Sequence, residues 1–121
     1  MNYETFGDFL TAKRNECDIT LRELARNLDV SPTFISDVER NRSTPKAERL
    51  EKLAEILHLS ADEKAEMYDL VGRQRDTVAA DLPNYIKERD YVSAALRTAR
   101  DLDAGEKEWL EFVADLKKRK G

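Results

Sequence analysis

Two helix boundaries lie very close together in this sequence, and they constrain the fold more than any other feature. Thr20 followed by Glu23 has the pattern of a capping box, which begins a helix. That helix ends at Asp29, and Ser31 with Pro32 immediately gives the signal for the next one, a hydroxyl cap followed by a proline at the first helical position. Because so few residues separate them, the two helices cannot lie antiparallel and must cross steeply.

The rest of the chain is also predicted to be helical. Apolar residues recur at helical spacing on both sides of this pair, and no strand signal, internal repeat or low-complexity tract is present. The sequence therefore predicts an all-α protein with five helices in residues 1–71, a linker at 72–82 and a small helical segment at 83–121. The apolar positions that define the five helices are Phe6, Phe9 and Leu10; Leu21, Leu24, Ala25 and Leu28; Ile35 and Val38; Leu50, Leu53, Ala54 and Leu57; Ala65, Met67, Tyr68 and Val71.

The charge of the chain limits how it could bind nucleic acid. Its 121 residues carry 21 lysines and arginines against 25 aspartates and glutamates, a net charge of −4, so bulk charge does not favour binding to a polyanion. The acidic excess is not uniform, however, because one short stretch holds Arg40, Arg42, Lys46 and Arg49 with a single acidic residue, Glu48. A local basic strip of this kind can act independently of the net charge.

Several classes of protein are not favoured by the sequence. No apolar run approaches the roughly 20 residues of a membrane span, and the N-terminus lacks the pattern of a secretory signal. The single cysteine, Cys17, fits a reducing cytoplasm and is interpreted as a core residue. With one cysteine and one histidine, His58, we expect no metal site, no cofactor and no enzyme active site.

The segment ITLRELARNLDVSPTFISDVERNRSTP, residues 19–45, resembles the Xre-type (lambda-repressor-like) helix-turn-helix regulators, and the resemblance extends from Phe6 to Leu59. It implies a five-helix DNA-binding domain whose third helix enters the major groove of double-stranded DNA. At the matching positions Thr33, Ser36 and Asp37 would read bases, the hydroxyls weakly and the carboxylate by accepting from cytosine N4. Contacts to the DNA backbone are implied for Thr20, Ser31, Phe34, Arg40, Arg42 and Lys46.

The resemblance also assigns structural roles. Arg14 and Glu39 occupy the positions of an ion pair that ties the first helix to the third. Asp29 and Asn41 stand where the family usually has glycine in a left-handed conformation, which aspartate and asparagine tolerate better than most residues. Leu21 replaces a polar residue that often contacts phosphate, so one phosphate contact is expected to be lost.

The last predicted helix leaves the function of the second half open. Trp109, Phe112, Val113 and Leu116 follow each other at i, i+3, i+4 and i+7, so they form one apolar stripe. A segment this small gains little from its own core, which favours a dimer interface over internal packing. We therefore expect a homodimeric transcription regulator, most simply a repressor on a pseudo-palindromic operator. The alternative is an antitoxin or adaptor that binds a protein partner, such as a toxin, through these helices.

Overall fold

The computed structural model describes residues 3–121, and those residues form helices, turns and loops without strands. The prediction of an all-α fold is therefore confirmed. Eight helices follow one another within these residues: α1 (Phe6–Glu16), α2 (Leu21–Leu28), α3 (Pro32–Glu39), α4 (Ala47–Ile56), α5 (Ala61–Arg75), α6 (Pro83–Lys87), α7 (Asp90–Asp101) and α8 (Glu106–Lys120). None of them is both long enough and apolar enough to cross a membrane.

Helices α1 to α5 surround one hydrophobic core. Its largest side chains are completely enclosed, and Phe9 packs edge-on against Tyr3 with ring centroids 5.5 Å apart. Almost all of the apolar positions predicted for the five helices are buried; Ala65 is exposed, and Leu21 is half-buried at the edge of the core. The core comprises Phe6, Phe9, Leu10, Leu24, Ala25, Leu28, Ile35, Val38, Leu50, Leu53, Ala54, Leu57, Met67, Tyr68, Leu70, Val71 and Ala79.

Polar contacts hold α5 against the helices before it. The Lys13 ammonium donates to Glu63 Oε2 at 2.5 Å, which joins α1 to the first turn of α5. This hydrogen bond holds the pKa of the Glu63 carboxyl below its ordinary value and raises the pKa of Lys13. Burial raises the pKa of the Tyr68 hydroxyl, whose hydrogen bond to Glu51 on α4 acts in the same direction. The scaffold behind α3 is therefore fixed by both apolar packing and charged contacts.

The N-terminal part of the chain extends beyond the boundary predicted from the sequence. Helix α5 does not end at residue 71 but continues through the buried Gly72 to Arg75, and Asp76 then takes a left-handed conformation with φ of 56°. Ala79 also packs into the core, so most of the predicted linker 72–82 belongs to the N-terminal body. The chain divides into two compact units after Pro83, which we call the N-terminal unit and the C-terminal unit (Asn84–Gly121).

The C-terminal unit consists mainly of α7 and α8. Asp103 in the turn between them is left-handed, with φ of 55°, and the Ala104 amide donates to the Ala99 carbonyl at 2.8 Å. Gly105 begins α8, and its amide donates to Glu108 Oε2 at 3.2 Å. No residue from Asn84 to Gly121 is buried. This unit therefore has helices with defined ends but no enclosed core of its own.

Candidate nucleic-acid interface

The short connection between α2 and α3 has the conformation that the sequence predicts. The Thr20 hydroxyl accepts from the Glu23 amide at 3.1 Å, and the Glu23 carboxylate accepts from the Thr20 amide at 3.1 Å, so the capping box is complete. This arrangement also lowers the pKa of Glu23. Asp29 is left-handed, with φ of 60° and ψ of 47°, and Ser31 caps α3 through the Phe34 amide at 3.1 Å.

One side of α3 is buried and the other faces outward. Ile35 and Val38, each 1% exposed, attach the helix to the core. Of the three predicted base-reading residues, Thr33 is exposed, while Ser36 and Asp37 are half-buried. Within residues 3–121 the side chains of these three residues make no hydrogen bond or ion pair, so their polar atoms are available to a ligand. The helix therefore presents a polar side whose position is fixed by the apolar side opposite.

Arg14 and Glu39 join α1 to α3 with two parallel hydrogen bonds. Arg14 Nε donates to Glu39 Oε2 at 2.7 Å, and Nη2 donates to Oε1 at 3.2 Å. The remaining guanidinium nitrogen, Nη1, donates to the Ile19 carbonyl at 3.0 Å. Since the side chains are 15% and 11% exposed, the pair is largely shielded from water. It fixes the C-terminal end of α3 and the turn before α2 at the same time.

Asn41 has a second role that the sequence did not reveal. Its backbone is left-handed, with φ of 63°, as expected where glycine is common. Its side chain also accepts from the Gly7 amide at 2.9 Å and donates to the Thr5 hydroxyl at 3.2 Å. A Cβ atom on Gly7 would lie 2.4 Å from the Glu39 carbonyl oxygen, so only glycine permits this approach of α1 to α3. The conformation could be predicted, but the long-range bonds could not.

The residues assigned to the DNA backbone lie at the start of α2, on α3 and its caps, and in the loop after α3. Thr20 and Ser31 are exposed, and their hydroxyls accept from amides in the caps, which leaves each O–H free to donate to an acceptor such as phosphate. Phe34 is half-buried, whereas the side chains of Arg40, Arg42 and Lys46 are exposed and make no ion pair in the described part of the chain.

Two further arginines support this surface, and sequence reasoning did not assign them to it. The Arg49 guanidinium lies over the Phe34 ring, 5.5 Å from its centroid. Arg75 donates to the carbonyls of Thr44 and Pro45 at 3.1 and 2.8 Å, which holds the loop after α3. Arg49 was part of the basic strip, but its stacking contact depends on tertiary structure. No local pattern links Arg75 to a loop so far away in sequence.

The predicted dimer residues lie on one helix of the C-terminal unit and are accessible. Trp109, Phe112, Val113 and Leu116 are 39%, 56%, 42% and 43% exposed. The Trp109 and Phe112 rings contact each other edge to face, with centroids 6.2 Å apart. The apolar stripe of α8 is therefore present on the surface of this unit.

Cys17 and His58, the two residues considered for metal binding or catalysis, have surroundings typical of structural residues. The Cys17 thiol is half-buried and donates to the Leu57 carbonyl at 3.4 Å. His58 occupies a left-handed position, with φ of 53°, after α4. Among residues 3–121, no group of three or more histidine, cysteine or acidic side chains is arranged to hold a metal ion.

Comparison with known proteins shows which domains this geometry is similar to. Residues 10–64 match a family model described as helix-turn-helix. Two proteins of Mycobacterium tuberculosis, named as the uncharacterized HTH-type transcriptional regulators MT0491 (strain CDC 1551 / Oshkosh) and Rv0474 (strain ATCC 25618 / H37Rv), are each 34% identical over 56 residues, which is 46% of this chain. The chain covers 40% of the length of each of these relatives.

The C-terminal unit lies outside the family match.

A comparison with solved structures found a chain from a complex of a SinR protein with a SinI protein. The match covers 96% of this chain and 98% of that chain, with 24% identity and a TM-score of 0.46. The match of residues 10–64, together with the capped α2–α3 geometry, confirms the resemblance inferred from the sequence: this part of the chain is similar to the helix-turn-helix DNA-binding domains of proteins named as transcriptional regulators.

Proposed function

We propose that this protein is a cytoplasmic, homodimeric transcriptional repressor that binds a pseudo-palindromic operator in double-stranded DNA. The observation that carries the proposal is the orientation of α3, whose apolar residues Ile35 and Val38 are enclosed while Thr33 is exposed. A helix held in this way can enter the major groove, where base edges present their donors and acceptors. Binding over a promoter would then repress transcription by occlusion.

In this proposal the residues of α3 divide into two roles. Thr33, Ser36 and Asp37 read base edges, and Asp37 is the most selective of them because a carboxylate can only accept, as from cytosine N4. The capped start of α3 adds amides that favour a phosphate oxygen. The backbone contacts come from the start of α2, from α3 and its caps, and from the loop after α3, through Thr20, Ser31, Phe34, Arg40, Arg42 and Lys46.

A homodimer explains how a recognition surface with only three proposed base-reading side chains could bind one DNA sequence specifically. Two recognition helices related by a two-fold axis would read half-sites a whole number of helical turns apart, about 34 Å per turn. The apolar stripe Trp109, Phe112, Val113 and Leu116 is the proposed dimer contact, because these side chains are exposed in the single chain. Large aromatic side chains are frequent anchors of protein interfaces.

The proposal is tested by selecting bound duplexes from a pool of random-sequence DNA with the full chain. We expect a two-fold symmetric site, and Asp37→Ala should relax the preference at one position of each half-site. Discrimination at that position should fall by about 1–3 kcal/mol. Enrichment of no common sequence, or an unchanged preference in Asp37→Ala, would contradict base reading by α3.

The backbone contacts are tested separately through salt dependence. Arg40→Ala and Lys46→Ala should each weaken binding to all sequences and lower the slope of log affinity against log salt by about one. Lys107→Ala is the matched control, since it removes the same charge from α8 in the C-terminal unit. Equal salt slopes in the wild type, Arg40→Ala and Lys46→Ala would overturn the assigned docking.

A further inference from the structure

The charges beside the apolar stripe of α8 carry information about how two copies would meet. The helix begins with Glu106 and Glu108 and ends with a run of basic residues from Lys117 to Lys120. An α-helix turns by about 100° per residue, so residues eleven positions apart, about three turns, lie on the same side. Glu106 and Lys117 therefore share one flank of the stripe.

The opposite flank repeats this arrangement. Glu108 and Arg119 are also eleven positions apart, and they lie on the other side of the stripe. Each flank thus has an acidic residue near the start of the helix and a basic residue near its end. Arg119 pairs with Asp115 at 3.0 Å along the helix, whereas Glu106 and Lys117 make no ion pair within the described residues.

We infer that α8 pairs antiparallel with α8 of a second copy of this chain, around a two-fold axis between Phe112 and Val113. This inference rests on the homodimer proposed above and specifies its contact. In such a pair Trp109 lies opposite Leu116 of the second copy, and Phe112 lies opposite Val113 of the second copy. All four exposed apolar side chains of each stripe are then covered.

Charge complementarity selects this orientation. In an antiparallel pair each flank meets the same flank of the other helix, so Glu106 faces Lys117 of the second copy. Glu108 likewise faces Arg119 of the second copy, and both contacts occur twice. The midpoint of Glu106 and Lys117, and that of Glu108 and Arg119, each lie within about one residue, or 1.5 Å of helix rise, of the two-fold axis between Phe112 and Val113.

In a parallel pair the flanking charges would repel each other instead of attracting. Each flank would then meet the other flank at the same height, so Glu106 would face Glu108 of the second copy. Lys117 would similarly face Arg119 of the second copy. Charges flanking an apolar helix seam set partner choice and orientation, and this pattern favours antiparallel over parallel pairing.

The experiment measures the dimer dissociation constant of the full chain by sedimentation at low salt. Glu106→Lys and Lys117→Glu should each raise the constant about tenfold, because each turns two attractions into repulsions. The double variant Glu106→Lys with Lys117→Glu restores opposite charges, so its constant should return to near the wild-type value. Salt of about 0.5 M should reduce all of these differences.

Control variants separate this contact from general effects of charge on the helix. Glu111→Lys and Lys118→Glu change the same charges on the side of α8 away from the stripe, and they should leave the constant within about twofold. Circular dichroism checks that each variant keeps the total helix content of the wild type. If the double variant recovers the wild-type dissociation constant, α8 must also be folded in it, because the restored contacts form only between helices.

The possible outcomes distinguish the two proposals. A wild-type chain that remains monomeric at all concentrations would overturn the homodimer itself and leave the stripe to a different partner. A dimer that is not weakened by either single variant, or that the double variant fails to restore, would overturn only the antiparallel pairing. A parallel pair would give tighter binding in the single variants, because each relieves a repulsion.

Discussion

The two units of this chain differ in where they place their apolar side chains. In the N-terminal unit, aromatic and aliphatic residues such as Phe9 and Leu50 are fully enclosed. In the C-terminal unit, residues of the same type remain exposed, among them Trp109 and Phe112. Because burial of apolar surface is the main source of stability, the first unit can fold by its own packing, whereas the second gains most by covering its surface with another molecule.

The largest expected effect comes from removing an aromatic ring in each unit. Phe9→Ala should lower the free energy of unfolding of the N-terminal unit by about 3–5 kcal/mol, because it leaves a cavity in the core. Phe112→Ala should change that free energy by less than about 0.5 kcal/mol and should instead weaken the dimer. Hydrogen exchange of the backbone amides in the N-terminal unit reports its free energy of unfolding, and sedimentation reports the dimer dissociation constant.

The reverse pattern would contradict this comparison. If Phe112→Ala destabilised the N-terminal unit as strongly as Phe9→Ala, the C-terminal helices would be part of one common core. Fluorescence of Trp109, the one tryptophan in the sequence, follows the C-terminal unit independently in the same samples.

The next largest effect compares ion pairs in the two units. Arg14→Ala should cost about 2–3 kcal/mol, because it leaves the Glu39 carboxylate, 11% exposed, without its bidentate partner. Arg119→Ala should cost less than about 0.5 kcal/mol, since the Arg119–Asp115 pair is 74% and 55% exposed. Urea unfolding of both variants measures the difference. Equal costs would show that shielding from water does not distinguish the pairs.

A smaller effect compares two left-handed positions. Asn41→Gly should destabilise by about 1 kcal/mol, because the loss of the bonds to Gly7 and Thr5 exceeds the relief of backbone strain. Asp103→Gly should stabilise the α7–α8 turn by about 0.5–1 kcal/mol, because the Asp103 side chain makes no such bonds within the C-terminal unit. Thermal unfolding with Trp109 as the probe follows the second variant. Shifts of the same sign in both variants would contradict the role given to the Asn41 side chain.

The smallest expected effect is a pH dependence of the N-terminal unit. The pKa of Glu63 is lowered in the folded state, so its contribution is present above the ordinary value of 4.5 and is lost as the pH falls through the lowered value. We expect this to be less than about 1 kcal/mol, since the Glu63 side chain is 34% exposed. Glu63→Gln should reduce the fall of the unfolding free energy at acidic pH. The control Glu16→Gln, which removes the longer contact of 3.6 Å to Lys13, should change it less.

Local signals in the sequence predicted much of the fold. The capping box at Thr20 formed as expected, and Asp29 and Asn41 adopted the left-handed conformations that the resemblance implies. Helix α3 follows the predicted Ser31–Pro32 signal, with the Ser31 hydroxyl as its cap and Pro32 as its first residue. A helix cap depends on a few neighbouring residues, which is why the sequence alone reveals it, whereas the two left-handed positions were inferred from the family resemblance.

Features that depend on distant residues were not predicted. The end of the N-terminal unit was set too early because the polar residues after Gly72 look like a linker, although the helix continues on the surface of a packed body. The bonds of Asn41 to α1 and of Arg75 to the loop after α3 join positions far apart in sequence. The assignment of Thr33, Ser36 and Asp37 to base reading remains a prediction, since it concerns a ligand rather than the fold.

The central claim is that the outward side of α3 lies in the major groove, and directed DNA cleavage tests it most directly. An iron chelate attached at Thr33→Cys, in a Cys17→Ser background, should cut operator DNA at two positions, one per half-site. The cuts should be separated by a whole number of turns of about 34 Å. The same chelate at Lys107→Cys serves as the control. Bound DNA that is left uncut from position 33, or is cut at fixed positions only from position 107, would contradict the account.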